Sequence, residues 1–199
     1  MLKVGLTGGL ATGKSFVGRA LAERGCHLIQ ADEIGRRLMQ PGGAAYDAVV
    51  KEFGREILAS DGTIDRKRLA SVVFRERSSL AVLNRLVHPP VIEEQDRLMA
   101  EIAARDPGAI VVVEAAVMIE AGTYKRMDRL IVVVCPLEKQ LERAAARGLS
   151  REEALARIRL QMPLEEKRKY ADYVIDTSGD EADTLHQVDE IYNRLRSQQ

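Results

Sequence analysis

Four small groups of residues could do chemistry in this sequence. Gly8-Gly9-Leu10-Ala11-Thr12-Gly13-Lys14-Ser15 fits the spacing G-x-x-x-x-G-K-S. Its glycines free the backbone to turn successive N–H groups onto phosphate oxygens. Lys14 would reach the outer phosphates and the Ser15 hydroxyl would be a ligand for Mg2+. Phe16 continues into a helix whose positive N-terminal end faces the same anion. The expected nucleotide contacts are therefore Gly8, Ala11, Thr12, Gly13, Lys14, Ser15 and Phe16. Ala11 is tolerable in such a loop if it keeps a negative φ.

The other groups carry charge. Asp32 ends a short apolar run, and open parallel sheets bind ligands at the carboxyl edge of their strands. A carboxylate there can take the proton of an attacking hydroxyl or hold it in line. It could equally be the N-cap of a helix beginning near Glu33. Arg143 and Arg147 stand four apart, on one face if the segment is helical, with Leu137, Leu141 and Ala144 on a neighbouring face. They could close over nucleotide phosphates, or form a solvated face paired with Glu138 and Glu142. Glu114 closes an apolar strand. It could bind Mg2+ through water, orient Lys14, or be a plain surface-edge carboxylate.

The elements that must position these groups alternate along the chain. Leu2–Thr7, Cys26–Gln30, 109–114, 130–135 and Tyr173–Asp176 read as strands. The runs Ala-Ile-Val-Val-Val-Glu and Leu-Ile-Val-Val-Val-Cys show no polar alternation, as expected of central parallel strands covered on both faces. A helix is expected from Lys14 to about Arg24, closed by Gly25. Strand–helix alternation implies an α/β fold with a parallel sheet. Residues 33–108 are too long for a simple crossover and read as a helical insertion, with turns at Pro41-Gly42-Gly43 and Ser60-Asp61-Gly62. Within 137–169, Pro136 starts a helix that Gly148 ends. Ser150-Arg-Glu-Glu153 is a capping box for the next, so a helical hairpin is expected. Asp180–Gln199 reads as a last helix.

Composition narrows the class. The 199 residues carry 30 Lys+Arg against 30 Asp+Glu and are 46% hydrophobic, which disfavours disorder and broad capture of nucleic acid or membrane. Cys26 and Cys135 match no metal-binding spacing and read as buried free thiols in a reducing compartment. Met1-Leu-Lys-Val-Gly5 has no long apolar run, so no signal peptide is expected, and no run approaches a membrane span. The expectation is a cytoplasmic protein. No Asn-Lys-x-Asp guanine-reading motif is present, and Asp32-Glu-Ile-Gly35 follows Ser15 too closely to be a GTPase switch. A small kinase remains, made of a phosphate loop, an acceptor-binding insertion and an arginine-bearing lid.

The ordered set of motifs resembles the dephospho-CoA kinase family over nearly the whole chain. The resemblance rests on Val4–Ser15, Ala31-Asp32, Asp61-Gly-Thr-Ile-Asp-Arg66 with Leu69, Leu86-Val-His88-Pro89 and Val117-Met-Ile-Glu120. It continues through Gln140-Leu-Glu-Arg143, Arg147, Glu152-Glu-Ala154, Arg157–Gln161 and Ala171–Asp176. It implies a P-loop kinase-like three-layer sandwich with a parallel five-stranded sheet, divided into core (1–32, 109–136, 170–199), acceptor-binding insertion (33–108) and lid (137–169). It also implies transfer of the γ-phosphoryl of ATP, with Mg2+, to the ribose 3′-hydroxyl of dephospho-CoA. By resemblance Asp32 is the acid at the acceptor hydroxyl, Arg143 the lid arginine on ATP, and His88, Tyr124 and Lys125 border the acceptor. The partners implied are these small molecules, with neither nucleic acid nor membrane.

Three residues depart from the family pattern. Gln30 replaces an acid, Ala116 a proline, and Thr177 an asparagine near the adenine side. A kinase for another acceptor, such as a nucleoside monophosphate, or a regulator that binds nucleotide without transfer, are the alternatives.

Overall fold

A computed structural model describes residues 1–73 and 77–198. They form two compact units, Met1–Gln30 with Glu101–Gln199, and Ala31–Ala100. Gln199, the last residue of the expected tail helix, lies outside the described residues.

The first unit contains the sheet. Its strands are β1 (Leu2–Gly8), β2 (His27–Gln30), β3 (Ile110–Glu114), β4 (Arg129–Val134) and β5 (Tyr173–Asp176), in the spatial order β2-β3-β1-β4-β5. Every pairing is parallel. The strand expectations hold to within a residue. The unalternating apolar runs are the interior strands: β3 is buried throughout, and β4 is buried from Leu130 on. β1 is central, paired on one side with β3 (Leu2↔Ile110) and on the other with β4 (Val4↔Arg129).

Helix α1 (Lys14–Glu23) begins directly after the loop that leaves β1. Its Val17, Ala20 and Leu21 pack with Val4 and Leu6 of β1 and with Val188, Ile191 and Leu195 of the tail helix, all in one buried cluster. Gly18 lets α1 approach the sheet. A Cβ there would meet Leu28, Leu6 and a Glu114 carboxylate oxygen at 3.2–3.4 Å.

The second unit is helical. It holds α2 (Ala31–Leu38), α3 (Tyr46–Phe53), α4 (Arg66–Val73) and most of α5 (Arg77–Arg105). Val49, Phe53, Ile57, Leu69 and Val73 form its buried centre, with Leu80, Leu83, Leu86 and Val87 packed around them. Both expected turns are present: Gly42 and Gly62 each have φ of +83°, and the Tyr46 hydroxyl donates to the Gly62 carbonyl at 2.5 Å. Pro89 and Pro90 lie inside α5. Neither has an N–H, so the carbonyls of Arg85 and Leu86 lose their usual i+4 donor.

The remaining helices return to the first unit: α6 (Leu137–Ala145), α7 (Arg151–Arg159), α8 (Leu164–Arg168) and α9 (Glu181–Arg196). The Ser150–Glu153 capping box forms as expected, and Asp180 caps α9 by accepting from Asp183 N–H. Leu141 and Ala144 of α6 pack on Ala154 of α7 and on Ala11. Leu137 does not join them and is 43% exposed, which corrects its placement on an apolar face. Among the described residues no helix is long and apolar enough to cross a membrane.

Burial holds the His88 imidazole, within α5, below its ordinary range. The unfolded chain then binds the proton more tightly, so this contribution to stability is complete above about pH 6.5 and is lost as pH falls toward the folded value. Thermal unfolding of His88→Gln should therefore depend less on pH than that of the parent below about pH 6.5. Parallel profiles for the two proteins would disprove the burial effect.

Candidate active site

The loop between β1 and α1 is built by close approach and unusual dihedrals. A Cβ on Gly8 would stand 2.4 Å from the Val133 carbonyl oxygen of β4, so only glycine fits. Gly13, just before α1, takes a left-handed φ of +89°. Ala11 is also left-handed, at +55°, and this overturns the expectation of a negative φ. Its methyl is buried against Leu141, Ala144 and Ala154. Packing against the helical hairpin thus holds an alanine where the backbone would favour glycine.

Side chains and helix amides bind several of the loop's carbonyls. Lys14 Nζ donates to Gly9 O at 2.7 Å and reaches Gly8 O at 3.5 Å. The Thr12 hydroxyl, fully buried, also donates to Gly9 O at 3.1 Å. Phe16 N–H and Val17 N–H donate to Gly13 O. Phe16 itself packs against the sheet core, so its part in the site is through the backbone.

Ser15 is the second functional group of the loop. Its hydroxyl donates to Glu114 Oε1 at 2.7 Å, and Gln30 Nε2 donates to Glu114 Oε2 at 2.9 Å. Glu114 is 6% exposed, which excludes the surface-edge reading. A hydroxyl and a carboxylate in contact beside a phosphate loop are hard oxygen donors of the kind Mg2+ takes, with its other positions left to phosphate and water. The pair fits that ion. Gln30, which stands in place of the family's acid, serves here as an amide donor to Glu114.

Arg143 does not lie on a solvated face. Its Nη1 donates to Thr177 Oγ1 at 2.9 Å and its Nη2 to Thr177 O at 2.7 Å. Thr177 is 3% exposed, and its hydroxyl donates to Thr12 O at 2.8 Å. Arg143 is thereby carried to the phosphate loop through the residue that departs from the family's asparagine. The acids expected to neutralise it pair elsewhere: Glu138 with Arg151 and Glu142 with Lys139. Burial raises the nearby Cys135 thiol above its ordinary range, while the Arg143 charge opposes this. Cys26 is pushed up to about 11 by the same cause. Both thiols are free and buried, as expected.

Other expected site residues fall as follows. Arg147 is not on the helix with Arg143. The last residue of α6 is Ala145, and exposed Arg147 sits in the following turn, its N–H on Ala144 O. The shared-face argument therefore fails. Asp32 is not an N-cap either: α2 begins at Ala31, which puts Asp32 in its first turn, exposed. Asp32 and His88 belong to the helical unit. Tyr124 and Lys125 lie on a short 3-10 helix after β3, and the Tyr124 ring meets that of Tyr170 edge-on at 5.2 Å.

The sequence assigns no role to Gln161 and Lys167, which the structure brings to the loop, or to Glu120, which pairs with Lys167. Gln161 Oε1 accepts from Leu10 N–H at 2.9 Å. Lys167 and Glu120 form an ion pair at 3.0 Å, with Lys167 wholly buried. Gln161 and Glu120 stood inside stretches that matched the family pattern. Lys167 was one of nine basic residues between 139 and 169 and carried no separate signal.

A glycine-bent loop on the central strand of a five-stranded parallel sheet, with an arginine drawn in from a helical hairpin, belongs to P-loop phosphotransferases. The family description "Dephospho-CoA kinase" matches residues 2–183. A dephospho-CoA kinase of Carboxydothermus hydrogenoformans is 47% identical over 186 residues, covering 93% of this chain and 90% of that one. The Thermus thermophilus structure TT1252 shares 32% identity and a TM-score of 0.80, covering 98% and 97% of the two chains. Dephospho-CoA kinase from Campylobacter jejuni shares 26% and a TM-score of 0.71, with the same coverage. The chain belongs to the dephospho-CoA kinase family.

The left-handed Ala11 allows a test by substitution. Glycine would relieve about 1–2 kcal/mol of backbone strain. It would lose about 0.8 kcal/mol of methyl burial and about 0.5–1 kcal/mol of chain entropy. Ala11→Gly should then leave unfolding free energy within about 1 kcal/mol of the parent. Ala11→Val, β-branched at a positive φ, should cost more than about 2 kcal/mol. Denaturant unfolding of both variants checks this, and a Val variant as stable as the Gly variant would refute the left-handed assignment.

Proposed function

We propose that Lys14, Asp32 and Arg143 carry the phosphoryl transfer by which this dephospho-CoA kinase phosphorylates dephospho-CoA with ATP in coenzyme A synthesis. The observation that supports the nucleotide half is the meeting of Lys14, the Ser15–Glu114 pair and the Arg143–Thr177 pair on one glycine-bent loop. The loop N–H groups and the start of α1 bind the phosphates. Lys14 leaves the Gly9 carbonyl for the outer phosphates, where its charge offsets that of the moving group. Ser15 and Glu114 are the residues that would hold Mg2+. Bound there, the ion would supply positive charge to offset the negative charge of the phosphates.

The ribose 3′-hydroxyl oxygen of dephospho-CoA attacks the γ-phosphorus. The bond from that phosphorus to the bridging oxygen breaks, ADP leaves, and the hydroxyl proton passes to the Asp32 carboxylate. Asp32 is assigned on its match to the family's acid and its place directly after the sheet's second strand. Residues 33–108 are assigned to the acceptor, with His88, Tyr124 and Lys125 as contacts. Residues 137–169 form the lid. There Arg143 stabilises charge on the transferred group, and Arg147, exposed in the turn after α6, meets phosphate on closure. Closure excludes water, which would otherwise hydrolyse ATP. The free, buried thiols support a cytoplasmic setting.

Incubation with ATP, Mg2+ and dephospho-CoA should add one phosphate to the ribose 3′ position, read by mass spectrometry. Lys14→Ala should lower kcat at least about 100-fold. Asp32→Asn should lower it about 100-fold or more with little change in the KM for ATP. Near-normal turnover of Asp32→Asn would end its assignment as the base.

A further inference from the structure

Lys167 is an unusual residue for its place. Its side chain is 0% exposed, though it lies on the short helix α8. Burial pulls its ammonium below the ordinary lysine range, and Glu120 opposes the shift. Its partner Glu120 remains exposed to solvent, and taking an ammonium out of water costs stability that an apolar side chain would not lose, so core stability alone does not account for Lys167.

What the ammonium touches does account for it. Nζ donates to Ala116 O at 2.7 Å, in the segment that follows β3, and to Glu120 Oε2 at 3.2 Å. It also lies 3.5 Å from Gly8 O, the first carbonyl of the phosphate loop. At that distance the interaction is mainly that of a charge with a carbonyl dipole. Peptide planarity makes it consequential: fixing the Gly8 C=O direction fixes that of Gly9 N–H.

Two neighbouring contacts tie the same stretch of chain to the site. Glu120 Oε1 accepts from Met162 N–H at 2.9 Å, and Gln161 Oε1 accepts from Leu10 N–H at 2.9 Å. Residues 161–167 are therefore fastened at both ends, to the phosphate loop and to the segment after β3. Lys14 Nζ also faces Gly8 O, at 3.5 Å. When Lys14 turns to a phosphate, Lys167 is the cation left facing that carbonyl.

We propose that Lys167 is a positioning residue of the phosphate loop: from α8 it holds the Gly8 carbonyl, so that the loop keeps its anion-binding shape when Lys14 engages nucleotide. The proposal rests on the reading of this loop as the ATP site. It says nothing of the acceptor.

Three variants test it: Lys167→Met, Glu120→Gln, and the two combined. The combination leaves no buried charge unpaired and keeps an acceptor for Met162 N–H. ATP affinity is read by calorimetry without acceptor, alongside steady-state KM values and thermal unfolding. Both proteins lacking Lys167 should bind ATP about tenfold more weakly, with the KM for the acceptor changed less than about twofold. Glu120→Gln alone should lower the melting temperature yet keep ATP affinity within about twofold. If Lys167→Met does not fold, the double variant is the decisive protein. A double variant that binds ATP as the parent does would reduce Lys167 to half of a structural ion pair and overturn the proposal. Because ATP binding is measured without acceptor, a wrong acceptor assignment would leave this result standing. Absence of ATP binding by the parent would instead break the reading of the site itself.

Discussion

A loop that binds polyphosphate must turn its N–H groups toward one point while its carbonyls, fixed to the same planar peptides, are held elsewhere. The surroundings of residues 8–15 follow from that requirement. Gly8 O faces Lys14 and Lys167, and Gly9 O accepts from Lys14 and Thr12. Thr12 O accepts from Thr177, and Gly13 O from the first turn of α1. The donors come from the loop itself, from α1, from α8 and from the residue after β5. A central strand buried on both sides and a helix packed on it through Gly18 give the loop a rigid start and finish.

The same requirement explains how the α6–α7 hairpin and the loop share side chains. Ala11 is both a loop residue at positive φ and a member of the apolar cluster of α6 and α7. Arg143 is bound to the loop through Thr177, whose hydroxyl accepts from the guanidinium and donates to Thr12 O. A hydroxyl can do both at once, because it carries one donor and two acceptor sites. Thr177 thus supports a link between α6 and the loop where the family often has an asparagine.

Charge is handled economically at the base of the site. Glu114 is nearly buried and is held by two neutral donors, Ser15 and Gln30. Had position 30 kept an acid, two carboxylates would stand against each other in a low-dielectric pocket, where like charges resist joint ionisation. The amide at Gln30 removes that repulsion and orients the remaining carboxylate toward Ser15. The basic excess of 139–169 is likewise not all surface charge, since Lys167 is internal and Arg143 is committed to Thr177.

The sheet and the phosphate loop were legible in the sequence because their causes are local. Unalternating β-branched runs have one stable use, as covered parallel strands, and the G-x-x-x-x-G-K-S spacing describes a backbone bend by itself. The family's motifs, read in order, carried the acceptor and the reaction. Other features depended on residues far apart in the chain. No local pattern reveals that α6 ends before Arg147, that α2 begins before Asp32, or that packing holds Ala11 left-handed. The role of Lys167 depends on carbonyls 51 and 159 residues away. Sequence alone determined which residues could bind a nucleotide, because that chemistry is written in residue type and spacing. Only the tertiary structure decided which charges are buried and what they hold, because burial is a property of packed neighbours and not of the residue itself.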